Sequence, residues 1–429
     1  MTIQLVTLGC SKNLVDSERL LRQIEASGFQ ARHADQPGPS DIIILNTCGF
    51  ILDAKQESVE AILTAINLKN RGLVKKVLVM GCLSERYKEE LTREMPEVDG
   101  FFGVWDQQAV IKSVGGVYYP DHINDRYLST PSHYAFLKIS EGCDRSCSFC
   151  SIPSIRGPQQ SRKMEDLVEE THRLADKGVR ELILIAQDLT SYGTDLYGKK
   201  SLASLLKKLL TVEKIEWIRL HYAYPTGFPS GVIQLMADEP RICNYIDIPI
   251  QHINNRILRS MNRGHTRKRL EELLFRFREQ VPGIAIRTTV MTGFPGETEE
   301  EFNELLAFVR HFRFERLGVF SYSHEEQTFA YRMKDAIPAS EKERRAALIM
   351  EVQEDISYTI NRSRVGKVLK VLIDGEEGGV YTGRTEFDSP EVDNEVVISK
   401  NENSVEVGNF FKVHITGADR FELRGEVIV

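Results

Sequence analysis

The chain has 429 residues, 41% hydrophobic and 27% charged, and its 55 Lys and Arg stand against 62 Asp and Glu for a net charge of −7. That composition belongs to a globular protein of about three domains; it excludes fibrous and low-complexity readings, and seven cysteines are too few for a disulfide scaffold. No apolar run reaches the roughly 18 residues of a membrane span and the opening residues lack the pattern of a signal peptide, so a cytoplasmic enzyme is expected, without dominant nucleic-acid binding and suited by its acidity to a basic partner.

In the first region, Ile3–Leu8, Ile42–Leu45 and Lys76–Met80 are short apolar runs, and Glu18–Ala26, Ala54–Leu68 and Arg86–Glu94 have helical patterning. Strand-helix alternation at this pitch predicts a small parallel sheet covered on both faces, a flavodoxin-like domain over residues 1–118. Cys10, Cys48 and Cys82 each follow one of the three runs, beside small residues in Thr-Leu-Gly-Cys, Asn-Thr-Cys-Gly and Met-Gly-Cys. Strand ends of a parallel sheet share one edge, so these distant thiols can converge on a single ligand. Three ordinary buried thiols are the alternative.

A polar stretch from Tyr118 to Ser132 reads as a linker. Six candidate strands follow: Tyr134–Ile139, Glu181–Gln187, Trp217–Tyr222, Tyr245–Ile250, Ile284–Val290 and Leu317–Tyr322, with helices such as Met164–Lys177 and Thr298–Phe312 between them. Six βα units predict a partial (β/α)6 barrel over residues 129–360, closed by a charged helix at Ser340–Asn361, with its chemistry at the C-terminal strand ends. From residue 361 to 429 the pattern changes to short β runs (Val368–Ile373, Val396–Ile398, Phe410–Ile415), which predicts a small all-β barrel. This third region holds nine basic and thirteen acidic residues. Such a surface repels nucleic acid.

The strongest local signal is Glu-Gly-Cys143-Asp-Arg-Ser-Cys147-Ser-Phe-Cys150, directly after the first strand of the six-unit region. Three thiolates so spaced can hold three irons of a 4Fe-4S cluster and leave the fourth iron without a protein ligand, an open position suited to reaction. A zinc site would need a fourth ligand, for which His133 or Cys243 are the candidates; a disulfide fits the expected compartment poorly.

With Phe149 before the last cysteine, this motif resembles the signature of radical S-adenosylmethionine enzymes. The added N-terminal region with its three cysteines, and a C-terminal barrel resembling a TRAM domain, narrow the resemblance to the methylthiotransferases, along essentially the whole chain. The resemblance implies two 4Fe-4S clusters, a catalytic one on Cys143, Cys147 and Cys150 and an auxiliary one on Cys10, Cys48 and Cys82, together with S-adenosyl-L-methionine, an electron donor such as flavodoxin and a sulfur source. Cys243 is left as an ordinary thiol just before a strand. The resemblance further implies cofactor contacts from Phe149, Gln187, Asp188, Gln251, Arg287, Thr289 and the glycines Gly293 and Gly296 of Thr-Gly-Phe-Pro-Gly-Glu; that segment also reads simply as a turn, and His252 equally as a core histidine.

Methylthiotransferases that act on transfer RNA differ from those that act on an aspartate of small-subunit ribosomal protein S-twelve. An RNA enzyme should present Lys and Arg from its C-terminal domain, and here that region is acidic. The segments Ser321–Thr328, with Glu325 and Glu326, and Asp388–Asp393 resemble the protein-modifying branch. Glu325 and Glu326 are accordingly substrate-binding candidates, with a solvated loop as the plain alternative. The expected chemistry is a 5′-deoxyadenosyl radical that removes hydrogen from the aspartate β-carbon, followed by delivery of methylated sulfur from the auxiliary cluster. A non-catalytic iron-sulfur carrier and a radical enzyme acting on RNA are the competing readings.

Overall fold

In the computed structural model, residues 1–399 and 405–428 are described; Lys400 to Ser404 and Val429 lie outside the described residues. The first unit runs β1 (Thr2–Thr7), α1 (Ser11–Ala26), β2 (Gln30–Ala34), β3 (Ile42–Thr47), α2 (Leu52–Asn70), β4 (Lys76–Gly81), α3 (Cys82–Glu94), β5 (Gly100–Phe101) and α4 (Gln107–Ser113). Its parallel strands lie in the order β2-β1-β3-β4-β5, the flavodoxin-like arrangement. β3 is buried at every position, as a strand covered on both faces must be. β2, Gln-Ala-Arg-His-Ala, is a polar edge strand without apolar alternation, and for that reason it escaped the sequence reading.

The second unit contains β6 (Tyr134–Lys138), β7 (Ser140–Glu141), α5 (Ile152–Arg156), β8 (Gln160–Ser161), α6 (Met164–Asp176), β9 (Glu181–Ile185), α7 (Thr194–Tyr197), α8 (Leu202–Leu209), β10 (Trp217–Leu220), α9 (Ser230–Asp238) and β11 (Ile242–Asp247). It continues with α10 (Asn255–Ser260), α11 (Arg267–Gln280), β12 (Ala285–Thr292), α12 (Glu299–Phe312), β13 (Arg316–Ser321) and α13 (Ala339–Arg362). Six parallel strands in the order β13-β12-β11-β10-β9-β6 form the open barrel expected from the βα rhythm. Alternate residues such as Leu182, Leu184, Ile286 and Val290 face the surrounding helices and join one large core. Two boundaries shift for local reasons. β11 begins at Ile242, so Cys243 is inside the strand and fully buried, not before it. β10 ends at Leu220 because Tyr222 takes a left-handed φ of 60°. α12 starts where Thr298 and Glu301 form a capping box, satisfying two backbone N–H groups of the first turn.

The third unit, β14 (Val368–Glu377), β15 (Val380–Thr385), β16 (Glu395–Ser399), β17 (Phe410–Ala418) and β18 (Glu422–Ile428), closes into a five-stranded barrel. It plugs the partial barrel from below. Polar residues of the parallel strands meet it: Arg219 reaches Glu181 at 2.7 Å, Glu181 is shared with Arg384 at 2.7 Å, Arg384 also holds Asp374, and Arg316 holds Asp388. Tyr245 donates to Asp393 at 2.7 Å, and the Trp217 and Phe410 rings meet edge to face at 4.7 Å.

The stretch read as a linker is a packed wedge. Arg126, fully buried, donates to the Phe136 carbonyl at 2.6 Å and lies 3.2 Å from Glu170 on α6 and 3.3 Å from Glu18 on α1. Burial alone would raise the Glu170 carboxyl, but Arg162, Arg19 and Arg126 beside it hold it at about 2. A free glutamate titrates near 4.3, so between these values the folded protein binds fewer protons than the unfolded chain. The stability this group contributes is complete above about pH 4.5 and is lost as pH falls toward 2. Glu170→Gln is therefore expected to cost on the order of 3 kcal/mol at neutral pH and to flatten the acid limb of a stability profile measured by denaturant titration; an unchanged limb would contradict the assignment.

Candidate active site

The three N-terminal thiols meet at the C-terminal edge of the first sheet. Cys10 caps α1, Cys82 opens α3 and Cys48 lies in the turn before α2. Glycine is required beside them: Gly9 has φ +90°, and a Cβ there would come within 2.6 Å of the Cys48 Cβ, while at Gly81, φ +101°, it would come within 2.5 Å of the Thr47 carbonyl oxygen. Asn13 ties the loops together by donating to the carbonyls of Leu8 at 2.9 Å and Thr47 at 3.2 Å. Burial pushes the Cys48 thiol up to about 12, helped by Cys82 and Cys10 beside it, and Cys82 rises for the same first reason. Thiols so disposed are deprotonated by a bound metal and not by solvent.

The second set sits on the loop after β7. The Cys143 sulfur accepts the Arg145 N–H at 3.4 Å, and the Cys147 sulfur has the Arg263 guanidinium at 3.3 Å and the Tyr224 hydroxyl at 3.9 Å. Tyr224 is sandwiched between Arg145 and Arg263, 4.2 and 4.3 Å from its ring. Two cations thus back a loop that becomes anionic once its thiols are ionised. Burial raises Cys143 to about 11 and Cys150 to about 12. Around this loop the buried Ser140 Oγ, Ser151 Oγ and Gln187 Oε1 have no hydrogen-bond partner among the described residues, so the surroundings fit a polar group that the loop would hold. Among the described residues no three His, Cys, Asp or Glu side chains are grouped to share one metal ion; thiols that each hold a different iron have no such need. The zinc alternative loses its fourth ligand: His133 is bonded to Asp374 at 2.8 Å, and Cys243 is buried among Trp217, Tyr245 and Leu372.

The two thiol sets are joined by one charged network. Arg156, on α5, donates to the Cys82 sulfur at 3.3 Å and lies 2.9 Å from both Asp16 of α1 and Glu141 of β7. Lys138 shares the same two carboxylates. Glu141 accepts from Gln187 and precedes the cysteine loop by two residues. None of Glu141, Arg145, Arg156, Tyr224 or Arg263 was singled out from sequence; only Glu141 and Arg145, inside the motif, offered a signal.

The strand-end candidates divide into those that face the loop and those employed elsewhere. Asp188 is 2% exposed and binds Arg145 at 2.8 Å as well as the backbone and hydroxyl of Thr190; with Gln187 it positions the cysteine loop. Phe149 packs against the cluster of Ile257, Met261, Phe294 and Tyr322. Gln251 has a left-handed φ of 67°, an unusual backbone for a non-glycine residue and a common mark of a site, and Thr289 accepts its N–H through the carbonyl at 2.9 Å. Arg287 is bound to Asp247 at 3.1 Å and to Asp393 of the C-terminal barrel at 3.3 Å, a position beneath the site. Gly293 and Gly296 both have left-handed φ; Gly293 faces Lys342 of α13, and its N–H donates to Glu297 at 3.0 Å, while Gly296 is exposed. The segment is a tight turn braced by α13. His252 is a core histidine: its Nδ1 accepts the Asn254 N–H at 3.0 Å, and burial lowers its pKa to about 3.

Glu325 is not presented to solvent. It is 3% exposed, bound to Lys55 of α2 at 2.8 Å and Arg86 of α3 at 3.2 Å, while the Glu326 carbonyl accepts from Arg86 at 2.8 Å. Glu325 joins the first two units, giving a counter-charge to the buried Arg86 and the partly buried Lys55, while the exposed Glu326 contributes only its backbone carbonyl.

Residues 137–309 match the Radical SAM superfamily, residues 2–103 the Uncharacterized protein family UPF0004 and residues 365–428 the TRAM domain. The chain is 52% identical over 426 residues, 99% of its own length and 98% of the other, to a Cytophaga hutchinsonii protein named ribosomal protein uS12 methylthiotransferase RimO. It is 50% identical over 428 residues to the protein of that name from Porphyromonas gingivalis, covering 99% of both. Among solved structures, the radical S-adenosylmethionine methyltransferase TsrM from Kitasatospora setae, with cobalamin and a [4Fe-4S] cluster bound, shares the fold at a TM-score of 0.55 and 14% identity over 89% of this chain and 80% of that one. The cobalamin-dependent radical enzyme OxsB resembles it at a TM-score of 0.52 and 15% identity, over 84% of this chain and 57% of that one. Identity near one half along the full length, with all three sequence patterns in order, decides the matter: the chain belongs to the RimO family of radical S-adenosylmethionine methylthiotransferases.

Proposed function

We propose that this chain adds a methylthio group to the β-carbon of an aspartate in ribosomal protein uS12, with one 4Fe-4S cluster on Cys143, Cys147 and Cys150, a second on Cys10, Cys48 and Cys82, and S-adenosyl-L-methionine as cofactor. The names of its full-length relatives support the substrate. The observation that carries the two-set reading is Arg156, which touches the Cys82 sulfur and shares Glu141 with the network that holds the other cysteine loop. When bound, the clusters and S-adenosylmethionine would supply the one-electron chemistry that makes an unactivated carbon reactive.

The chain's own residues bind, orient and shield. Arg145 and Arg263, on either side of the Tyr224 ring, place positive charge behind Cys143 and Cys147, which favours thiolates in a partly buried loop. Asp188 and Gln187 fix that loop from β9. α1 lays Val15 against Tyr134, Phe136, Ile183 and Ile185 inside the open barrel, so the N-terminal domain covers the interior and excludes water from it. A cytoplasmic location, an electron donor such as flavodoxin and a separate sulfur source belong to the same proposal. No described helix is long and apolar enough to cross a membrane.

The test is anaerobic incubation of the reconstituted protein with uS12, S-adenosylmethionine, sulfide and reductant, followed by fragmentation of the uS12 peptides in a mass spectrometer. The expected result is 5′-deoxyadenosine together with one methylthio group mapped to an aspartate. Production of 5′-deoxyadenosine with uS12 unmodified would remove the substrate assignment, and its absence would remove the radical chemistry.

A further inference from the structure

We propose that Lys12 grips the carboxylate of the target aspartate and so selects an acidic residue for modification; this rests on the reading of the chain as a protein methylthiotransferase. Lys12 is the second residue of α1, two positions after Cys10. Its side chain crosses from the N-terminal domain to the mouth of the barrel, where Nζ lies 2.9 Å from the ring centroid of Tyr222, just beyond the end of β10. The residue is 8% exposed, and among the described residues its ammonium has no hydrogen bond and no carboxylate.

The nearby acids are already taken. Asp16 and Glu141 are both shared by Lys138 and Arg156, and Asp247 accepts from Arg287 at 3.1 Å and from the Tyr222 N–H at 3.1 Å. Lys138 and Arg156 thus occupy Asp16 and Glu141, Arg287 holds Asp247, and Lys12 pairs with none of these carboxylates. A nearly buried ammonium without a counter-charge is costly, and the cost is recovered when an anion arrives. The support under it is specific: Tyr222 takes a left-handed backbone, φ 60°, which an aromatic residue adopts only when its surroundings demand it, and this turns the ring under the Lys12 ammonium.

The placement suits an aspartate and no neutral residue. The seam separates the edge that carries Cys10, Cys48 and Cys82 from the barrel mouth that carries the other thiols, and the reacting β-carbon must lie between them. Its carboxylate is one bond away, so a cation that grips it stands roughly 4 Å from the reacting atom. An asparagine of the same shape would leave the ammonium unpaired, which is how a site built for one group rejects its isostere.

The experiment is a double-mutant cycle on the holoenzyme. Full-length wild type, Lys12→Met and Lys12→Arg, matched for iron content and cluster spectra, are titrated anaerobically with uS12 and with uS12 carrying Asn at the aspartate that wild type modifies. Wild type is expected to bind the aspartate form at least about tenfold more tightly than the asparagine form, Lys12→Met to bind the two alike, and Lys12→Arg to keep part of the preference. A Lys12→Met protein that keeps the wild-type preference, or that weakens both forms equally, would overturn the role of Lys12, as would a wild type without preference. A wild type that leaves uS12 unmodified overturns the underlying reading instead.

Discussion

Replacing Cys48 by alanine is expected to reduce methylthio transfer to background while leaving reductive cleavage of S-adenosylmethionine intact; Cys147→Ala is expected to abolish both. The division follows from where the sulfurs stand. Cys48 is 8% exposed, pressed against Gly9 at the first sheet's edge and close to Cys10 and Cys82, so its loss removes one of three ligands from that set and touches nothing in the second. Cys147 stands with Arg263 and Tyr224 in the barrel loop. In the Cys48 variant iron should fall by about half, since each set would hold one cluster. Chromatography of 5′-deoxyadenosine and mass spectrometry of the protein substrate read the two activities separately. Methylthioaspartate formed by Cys48→Ala would show that the N-terminal set is not the sulfur donor.

Arg384→Met carries the largest expected loss of stability, about 3 to 5 kcal/mol, the usual cost of breaking a buried ion pair by removing one partner. Arg384 is 2% exposed and bridges Asp374 of its own barrel to Glu181 of the parallel sheet. Burial opposes its charge, and Glu181 and Asp374 more than compensate, holding its pKa well above the ordinary arginine value. Without it, among the described residues, Asp374 keeps His133 and Glu181 keeps Arg219 as ion-pair partners. The double variant Arg384→Met with Glu181→Gln should cost less than the sum of the single ones, because the partners act as a unit. Denaturant titration with a probe at the Trp217–Phe410 contact reads the undocking of the C-terminal barrel; a loss below about 1 kcal/mol would mean that the interface is held by apolar contact alone.

The cysteine chemistry was legible because it is written in local spacing and in repeated strand-turn punctuation. Each N-terminal thiol follows an apolar run, and a parallel sheet must bring such positions to one edge; Gly9 and Gly81 owe their presence to the closeness of Cys48 and Thr47. The six βα units were legible for the same reason, through alternation that sheet and helices both enforce. Residues whose roles depend on distant partners were not. Arg156 and Lys12 form their contacts across two units, and nothing in their immediate sequence marks them.

The acidic C-terminal region led to the right branch for an incomplete reason. Asp374, Asp388 and Asp393 are spent on Arg384, Arg316 and Arg287 inside the interface, so three of the carboxylates counted as surface charge face arginines instead of a basic partner. Glu325 shows the same error in small: a loop acid read as substrate-facing is turned inward to Lys55 and Arg86. Charge read along a chain reports composition, whereas recognition depends on what remains unpaired after folding. Lys12 matters on that criterion.

The most direct measurement gives the reconstituted enzyme, S-adenosylmethionine, sulfide and reductant a mixture of uS12 and bulk transfer RNA, and assays both for methylthio groups by mass spectrometry. The account predicts modification of an aspartate in uS12 and none in the RNA. Methylthioadenosine in the RNA, with uS12 untouched, would contradict it.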